Sequence, residues 1–371
     1  MSETVASKTA VMTCTVLRVD LDAIAANYRA LVTLASPARV APVVKADAYG
    51  LGVERVARKL WAEGARSFFV ATFGEGRQLR RILPEGAIYV LNGFPPGEAA
   101  TFSAAGLRPV LNSFAEYEEW SSLDKRFPAV IQIDSGMNRT GMDLVDLESL
   151  ATQDPALSTV EIDLIMSHLA CADEATHPKN SDQLRHFREA ASRFPKRMLS
   201  IAASGGIFIG RSFCLDVVRP GIALYGGNPR GDGPNPMRPV VRLEAPIVQT
   251  RSIDKPETVG YGATYGVGGK TRLATVALGY ADGLMRSLSN CGTAAIAGER
   301  VPIVGRVSMD LVTIDISKIA LADRGTLVEF VGPTISIDEA AHLAGTLPYE
   351  FLTRLGPRVT RVYAEKGGLS V

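Results

Sequence analysis

The sequence predicts an α/β protein: an N-terminal (β/α)8 barrel of the TIM type followed by a mostly β C-terminal domain. Three observations predict it. Eight short, apolar, β-branched runs alternate with longer helix-patterned segments through the first two-thirds of the 371 residues. Polar and glycine residues collect just behind several of those runs. Beyond a stretch at 227–239 dense in Gly, Pro and Asn, the pattern changes to short alternating runs and turns.

The eight predicted barrel strands are 40–44, 67–71, 88–92, 107–111, 129–134, 164–168, 199–204 and 217–225. Most lie roughly 20 to 35 residues apart, the period of a strand-plus-helix unit. Between them, 53–64 is helical and ends in a glycine stop, and 113–123 opens on Ser113 with Glu116 three residues later, the pattern of a capping box. Lys45, Asn92, Asp134 to Arg139, His168, Ser204 and Arg219 to Gly221 follow strands. In a barrel these ends meet on one face, where active sites form. In the alternative, an open doubly wound sheet, they would spread along a line. The later strands are 240–250, 272–279, 292–296, 301–304, 310–316 and 327–331, with a short helix at 337–343. The domains are therefore expected at 11–238 for the barrel and 239–371 for the β-rich part, after a flexible segment at 1–10; a first strand at about 11–20 can pair with the second domain.

Composition excludes several classes of function. Forty basic residues against 39 acidic ones leave a net charge of +1, so no strong field draws the chain to nucleic acid or an anionic membrane. No run approaches the roughly 20 apolar residues of a membrane span, and the first ten residues lack the apolar stretch of a signal peptide. The four cysteines, Cys14, Cys171, Cys214 and Cys291, form no CxxC pair and read as thiols in a reducing, cytoplasmic compartment. His168, His177, His186 and His342 have no zinc spacing, so no metal is expected. There is no HExxH or G-x-S-x-G motif, and Gly269-Lys270-Thr271 has Thr264 where a P-loop needs glycine.

Three segments carry chemistry. In Val43-Val44-Lys45-Ala46-Asp47-Ala48-Tyr49-Gly50 a buried strand delivers one lysine at its end. Burial lowers an amine's pKa and frees the nucleophile, although the segment alone also fits a rim lysine. In Val218-Arg219-Pro220-Gly221-Ile222, with Ser204-Gly205-Gly206 after the preceding strand, glycine lets backbone N–H groups approach an anion, where barrels commonly hold phosphate. Taken alone, Arg219 could equally be a structural ion-pair partner. Tyr261 in Gly260-Tyr261-Gly262 and Tyr280 in Gly279-Tyr280-Ala281 sit on tight turns that either present a phenol outward or pack it.

These segments, with SHLACADE at His168, RPGIALYG, GYGATY, GYADG and GRVSMD, stand in the order and spacing of one family, and the chain resembles the alanine racemases over nearly its whole length. The resemblance implies the barrel-plus-β fold, pyridoxal 5'-phosphate as cofactor, racemisation of L- and D-alanine, and a homodimer with shared active sites. The product would supply D-alanine for peptidoglycan or enter alanine catabolism. By motif, Lys45 corresponds to the lysine that holds the cofactor covalently and acts as one acid/base, and Tyr261 of the partner subunit to the second. Tyr49, Ser204, Gly221 and Ile222 correspond to phosphate-binding positions, Arg219 to the arginine facing the pyridine nitrogen, and His168 to the histidine between that arginine and the tyrosine. Arg139 corresponds to an arginine near the cofactor's 3-oxygen and the substrate. Tyr280, Met309 and Asp310 correspond to the substrate-side rim.

The sequence departs from the family at Gln132, where a carbamylated lysine is frequent, and Gln132 is expected to hydrogen-bond Arg139 without its charge. Pro357 replaces a tyrosine, and Ser200 and Ala203 replace other polar neighbours. Two alternatives remain: a broader racemase accepting serine or other amino acids, and a non-catalytic pyridoxal-phosphate-binding protein.

Overall fold

The computed structural model describes residues 14–124, 127–231, 233–366 and 368–370. The flexible segment expected at 1–10 lies outside them. The chain divides into two compact units: Ile24–Leu224 with Asn228–Met237, and the remainder, made of the segment up to Ala23, Tyr225–Gly227 and everything from Arg238.

The first unit is a closed parallel barrel. Strand β1 (Val16–Asp20) belongs to the other unit; the barrel begins with β2 (Arg39–Val40). Strands β3 (Ser67–Val70), β4 (Ala87–Val90), β5 (Arg108–Leu111), β6 (Ala129–Gln132), β7 (Ile162–Met166) and β8 (Met198–Ser200) form one six-stranded parallel sheet in sequence order. Strand β9 (Val217–Val218) pairs in parallel with β2. Single parallel bridges, Val43 with Phe69 and Ala203 with Arg219, join this pair to both edges of the six. The ring of eight therefore closes, and no strand edge is left to pair with another chain. The strands are short but buried on both faces, as the continuous apolar runs require: Phe68, Phe69, Val90, Leu111, Val130 and Ile131 are fully inaccessible.

Helix starts are set by local chemistry. Thr72 accepts the Glu75 N–H and Glu75 reaches back to the Thr72 N–H, a complete capping box for Phe73–Ile82. Ser113 caps Phe114–Ser121 through the Glu116 N–H, but the Glu116 carboxylate passes Ser113 and accepts the N–H of Asn112 at 2.6 Å, so the box expected there is only half formed. The helix 53–64 ends at Ala62, with Gly64 at φ +99°. The predicted eighth strand also differs: only Val217–Val218 is extended, and Ile222–Tyr225 is a 3-10 turn. Pro220 cannot donate to a ladder, and the Ser204 hydroxyl captures the N–H groups of Gly221 and Ala223.

The second unit is mostly β. Strand β10 (Val241–Ile253) is its spine, pairing antiparallel with β1, β13 (Thr271–Val276) and β17 (Leu327–Val331). The strands β11 (Glu257–Val259) and β12 (Tyr265–Val267) form a separate antiparallel pair. Strands β14 (Thr293–Ile296), β15 (Glu299–Pro302) and β16 (Val312–Asp315) extend the sheet, and β18 (Thr360–Glu365) joins β1 in parallel and β19 (Gly368–Ser370) antiparallel. The predicted helix is present at Ile337–Leu343, capped by Ser336. Strands β11, β12, β18 and β19 and the helix Pro348–Thr353 were not predicted; the three-residue strands β11, β12 and β19 are too short for a periodic signal. Among the described residues, no helix is long and apolar enough to cross a membrane.

Candidate active site

Six strand-end segments of the barrel contribute the polar groups described below, beginning with Lys45. The bridge from Val43 to Phe69 carries the chain onto β3, and Lys45 then opens a turn, Lys45–Gly50, in which Ala46, Asp47, Ala48 and Tyr49 all have positive φ of 52°, 54°, 54° and 58°. A run of left-handed L-residues costs about 1–2 kcal/mol per residue, so other contacts must hold it. The Glu75 carboxylate accepts the N–H of Ala46 at 2.8 Å and of Ala71 at 2.7 Å. Asp47 Oδ1 accepts the N–H of Val53 at 2.7 Å. The turn brings the Tyr49 hydroxyl so close to Gly221 that a Cβ on Gly221 would lie 2.1 Å from it.

Among the described residues, the Lys45 amine has no hydrogen-bond or ion-pair partner. Its pKa is lowered, first by burial and then by the Arg139 charge, with Glu75 opposing and Arg219 adding to the fall.

Arg219 is 4% exposed and has no carboxylate partner among the described residues. Its Nε donates to Ser200 Oγ at 2.9 Å, and its Nη2 donates to the Ser167 carbonyl. Burial lowers its pKa to about 10, still well above neutrality. The Ser167 hydroxyl lies 2.7 Å from that of Ser135, and Gln183 donates to the His168 carbonyl at 2.9 Å while accepting the Ala170 N–H at 2.9 Å. The strand end bearing His168 is thus fixed by a buried amide side chain. Burial, followed by the charges of Arg219, Arg139 and Lys45, lowers the His168 imidazole to about 3, so it is neutral at physiological pH.

Ser204, 2% exposed, accepts the N–H groups of Gly221 at 2.9 Å and Ala223 at 3.2 Å. The amide of the fully buried Ile222 lies between them in sequence. The Ser204 hydroxyl thus occupies the Gly221 and Ala223 N–H groups on either side of Ile222 and fixes this turn at the strand end.

Arg139 is exposed, and its guanidinium has no partner among the described residues. The expected Gln132–Arg139 bond is absent. Gln132 instead donates to the Thr140 hydroxyl at 2.7 Å and the Thr140 carbonyl at 3.0 Å. Gln132 is buried, and Gly141 packs 3.2 Å from its Cγ when given a Cβ, so the amide is spent inside the 132–142 loop that also joins Met142 to Gln132.

The remaining predicted residues belong to the second unit. Tyr261 is 70% exposed on a turn whose flanking Gly260 and Gly262 have φ of +75° and +72°, a conformation suited to glycine. That turn packs against Gly305 and Arg306. Tyr280 and Ala281 donate their N–H groups to Ser308 and Met309, so Tyr280, Met309 and Asp310 lie together. Asp310 accepts Arg358 at 2.7 Å, and Arg358 also pairs with Asp282 at 2.9 Å. Tyr280 and Met309 are exposed at 39% and 53%.

Lys45, Tyr49, Arg139, His168, Ser204, Arg219, Gly221 and Ile222 therefore share the barrel, whereas Tyr261, Tyr280, Met309 and Asp310 share the β unit. Sequence reasoning missed Glu75, Ser167 and Gln183 and assigned Ser200 no partner. Only Glu75 had a signal, its spacing from Thr72, and that signal announces a helix start and says nothing of Ala46.

A family profile described as "Alanine racemase, N-terminal domain" matches residues 19–229, and "Alanine racemase, C-terminal domain" matches 240–363. The chain is 46% identical to the catabolic alanine racemase of Agrobacterium fabrum over 358 residues, covering 95% of this chain and 92% of that one. It is 44% identical to the alanine racemase of Methylobacterium nodulans over 360 residues, covering 95% and 97%. The crystal structure of alanine racemase from Bartonella henselae with covalently bound pyridoxal phosphate superposes with a TM-score of 0.92 at 40% identity, covering 95% of this chain and all of that one. The biosynthetic alanine racemase of Pseudomonas aeruginosa gives 0.90 at 33% identity, with the same coverage. The chain belongs to the alanine racemase family.

Proposed function

We propose that this member of the family interconverts L- and D-alanine with pyridoxal phosphate, using Lys45 and the partner subunit's Tyr261 as the two proton-handling groups. The residues fit the cofactor. An unpartnered, pKa-lowered amine stands at a strand end, a glycine cleft lies beside the Tyr49 hydroxyl, and two N–H groups converge on Ser204. Lys45 would hold the aldehyde carbon, and Tyr49, Ser204 and the Gly221–Ile222 turn would hold the phosphate, which would take over the Gly221 N–H that Ser204 accepts. When bound, the cofactor withdraws electrons from the substrate's α-carbon and so acidifies its C–H bond.

Racemisation needs a proton taken from one face of the α-carbon and another returned on the opposite face, hence two acid/base groups that no single strand end can supply. Lys45 serves one face because burial, Arg139 and Arg219 favour its neutral amine. Tyr261 serves the other, carried on a glycine turn that leaves its phenol exposed. A neutral His168 can accept or donate a hydrogen bond to that phenol, while cationic character comes from Arg219 behind it. Arg139 would meet the substrate carboxylate, and Tyr280, Met309 and Asp310 would bound the pocket from the partner's side.

The observation that carries the reading is Arg219: a buried guanidinium with only neutral oxygens as partners. A cation beside the cofactor's ring nitrogen disfavours a proton there and limits electron withdrawal, which suits proton exchange and suppresses transamination. Tyr261, Tyr280, Met309 and Leu311 are large apolar side chains left exposed on the β unit, and a dimer would cover them. The symmetric reaction serves peptidoglycan supply or alanine breakdown alike, and four cysteines outside any disulfide suit a cytoplasmic enzyme.

Chiral analysis after incubating the purified holoenzyme with L-alanine tests the proposal. Equal amounts of both enantiomers are expected, with specific activity falling on dilution as dimers dissociate. Recovery of L-alanine alone from cofactor-loaded protein would overturn it.

A further inference from the structure

The same strands that end at the candidate active site begin at a second cavity. It measures about 540 Å³ and is lined at the N-terminal ends of the barrel by Arg39 of β2, Ser67 of β3, Arg108 of β5, Asp163 of β7, Met198 of β8 and Val217 of β9. Lys45 and Arg219 stand beyond the other ends of β2 and β9, so the cavity is distinct from the site above.

Its charges do not cancel. Arg39, Arg66 and Arg108 line it against one carboxylate, Asp163. Asp163 is already committed: it pairs with Arg108 and accepts the Tyr89 hydroxyl at 2.9 Å. Arg66 donates only to the carbonyls of Trp61 and Ala65, both at 2.9 Å, and lies over the Trp61 ring. Glu63, whose charge reaches Tyr28, pairs with Arg29 at 2.5 Å. Arg39 and Arg66, both exposed, have no ion-pair partner among the described residues.

A second observation points the same way. Tyr28 lines the cavity, is only 5% exposed, and its hydroxyl has no partner among the described residues; neither does the Arg39 guanidinium. The residue is buried but its hydroxyl oxygen keeps access to the cavity, so an acceptor there would take a bond from both donors. The remaining wall is apolar, with Val40, Ala41 and Leu164 buried.

We propose that this cavity binds a small organic anion, a carboxylate or phosphate carried on an apolar body. The anionic head meets Arg39, Arg66 and the Tyr28 hydroxyl, and the body lies on Val40, Ala41 and Leu164. Because β2 and β9 close the barrel as a two-residue pair, an occupant touching Arg39 and Val217 clamps that seam and raises the midpoint of thermal unfolding.

Calorimetric titration of the holoenzyme with phenyl phosphate, benzoate and inorganic phosphate tests this. Saturable one-site binding of phenyl phosphate or benzoate is expected, unaffected by saturating alanine, and the tighter of the two identifies the head group. Arg39→Gln and Tyr28→Phe should each weaken it about tenfold, equivalent to about 1.4 kcal/mol, with turnover and cofactor absorbance unchanged. Arg39→Lys, which keeps the charge, should retain part of the affinity. Absence of saturable binding by every probe, displacement by alanine, or equal affinity in wild type and both variants would overturn the proposal. Inorganic phosphate binding as tightly as phenyl phosphate would overturn the apolar-body part. Because the titration reads binding away from Lys45, its failure leaves the racemase reading untouched.

Discussion

The Glu75 carboxylate accepts the backbone N–H of Ala46 at 2.8 Å, one residue beyond Lys45. It also accepts the Ala71 N–H at 2.7 Å and the Thr72 N–H at 3.3 Å, so one anion ties the lysine turn to the end of β3 and the start of the next helix. Glu75→Gln removes the charge and turns an NH2 group toward a backbone N–H. Losing a charge-assisted bond of about 1.5–3 kcal/mol should lower kcat/KM by roughly ten- to a hundredfold and lower the unfolding midpoint of the cofactor-free protein. Because Glu75 raises the Lys45 pKa, its removal should also move the Lys45 limb of the pH–rate profile downward. An unmoved limb would place Glu75 in a purely structural role.

Gly221→Ala puts a Cβ 2.1 Å from the Tyr49 hydroxyl, and the ring must move. Overpacking of this kind costs about 1–3 kcal/mol. Equilibrium dialysis should find weaker cofactor retention than in wild type, since both affected residues belong to the proposed phosphate cradle.

Ser200→Ala leaves the Arg219 Nε–H buried without its acceptor. Stability should fall by about 1–3 kcal/mol in urea unfolding. Ser200→Thr, which keeps the hydroxyl, should recover most of that loss.

Tyr261→Phe should lower turnover in both directions by about a hundredfold or more. Its unfolding midpoint should match wild type, because the side chain is 70% exposed and packs little. Unchanged turnover on L- and D-alanine would refute the second proton-handling group.

His168 has a folded pKa of about 3 against about 6.5 unfolded. Between those values only the unfolded chain takes the proton, so this residue contributes stability that declines as pH falls from about 6.5 towards 3. Urea midpoints at pH 7 and pH 5 should therefore differ less in His168→Asn than in wild type. An equal difference would show that His168 titrates normally.

Much of the barrel was legible because parallel strands buried on both faces read as unbroken apolar runs, 67–71 and 129–134 among them, and because polar residues follow them at the ends. The 3-10 turn Ile222–Tyr225 read as strand because its residues are just as apolar; only the meeting of Ser204 with two amides ends the extension at Val218. Gln132 was assigned to Arg139 by position, and the loop geometry instead turned it to Thr140.

By itself the sequence determined which chemical groups are present and at which strand end or turn each stands: an amine after β2, a guanidinium after β9, a phenol between two glycines. Tertiary structure alone decided their state. Whether an amine is neutral, an imidazole uncharged or an arginine free of a carboxylate depends on neighbours far away in the chain, such as Glu75 for Ala46 and Ser200 for Arg219. Burial and charge act through space, and space between strands is set only when the barrel closes.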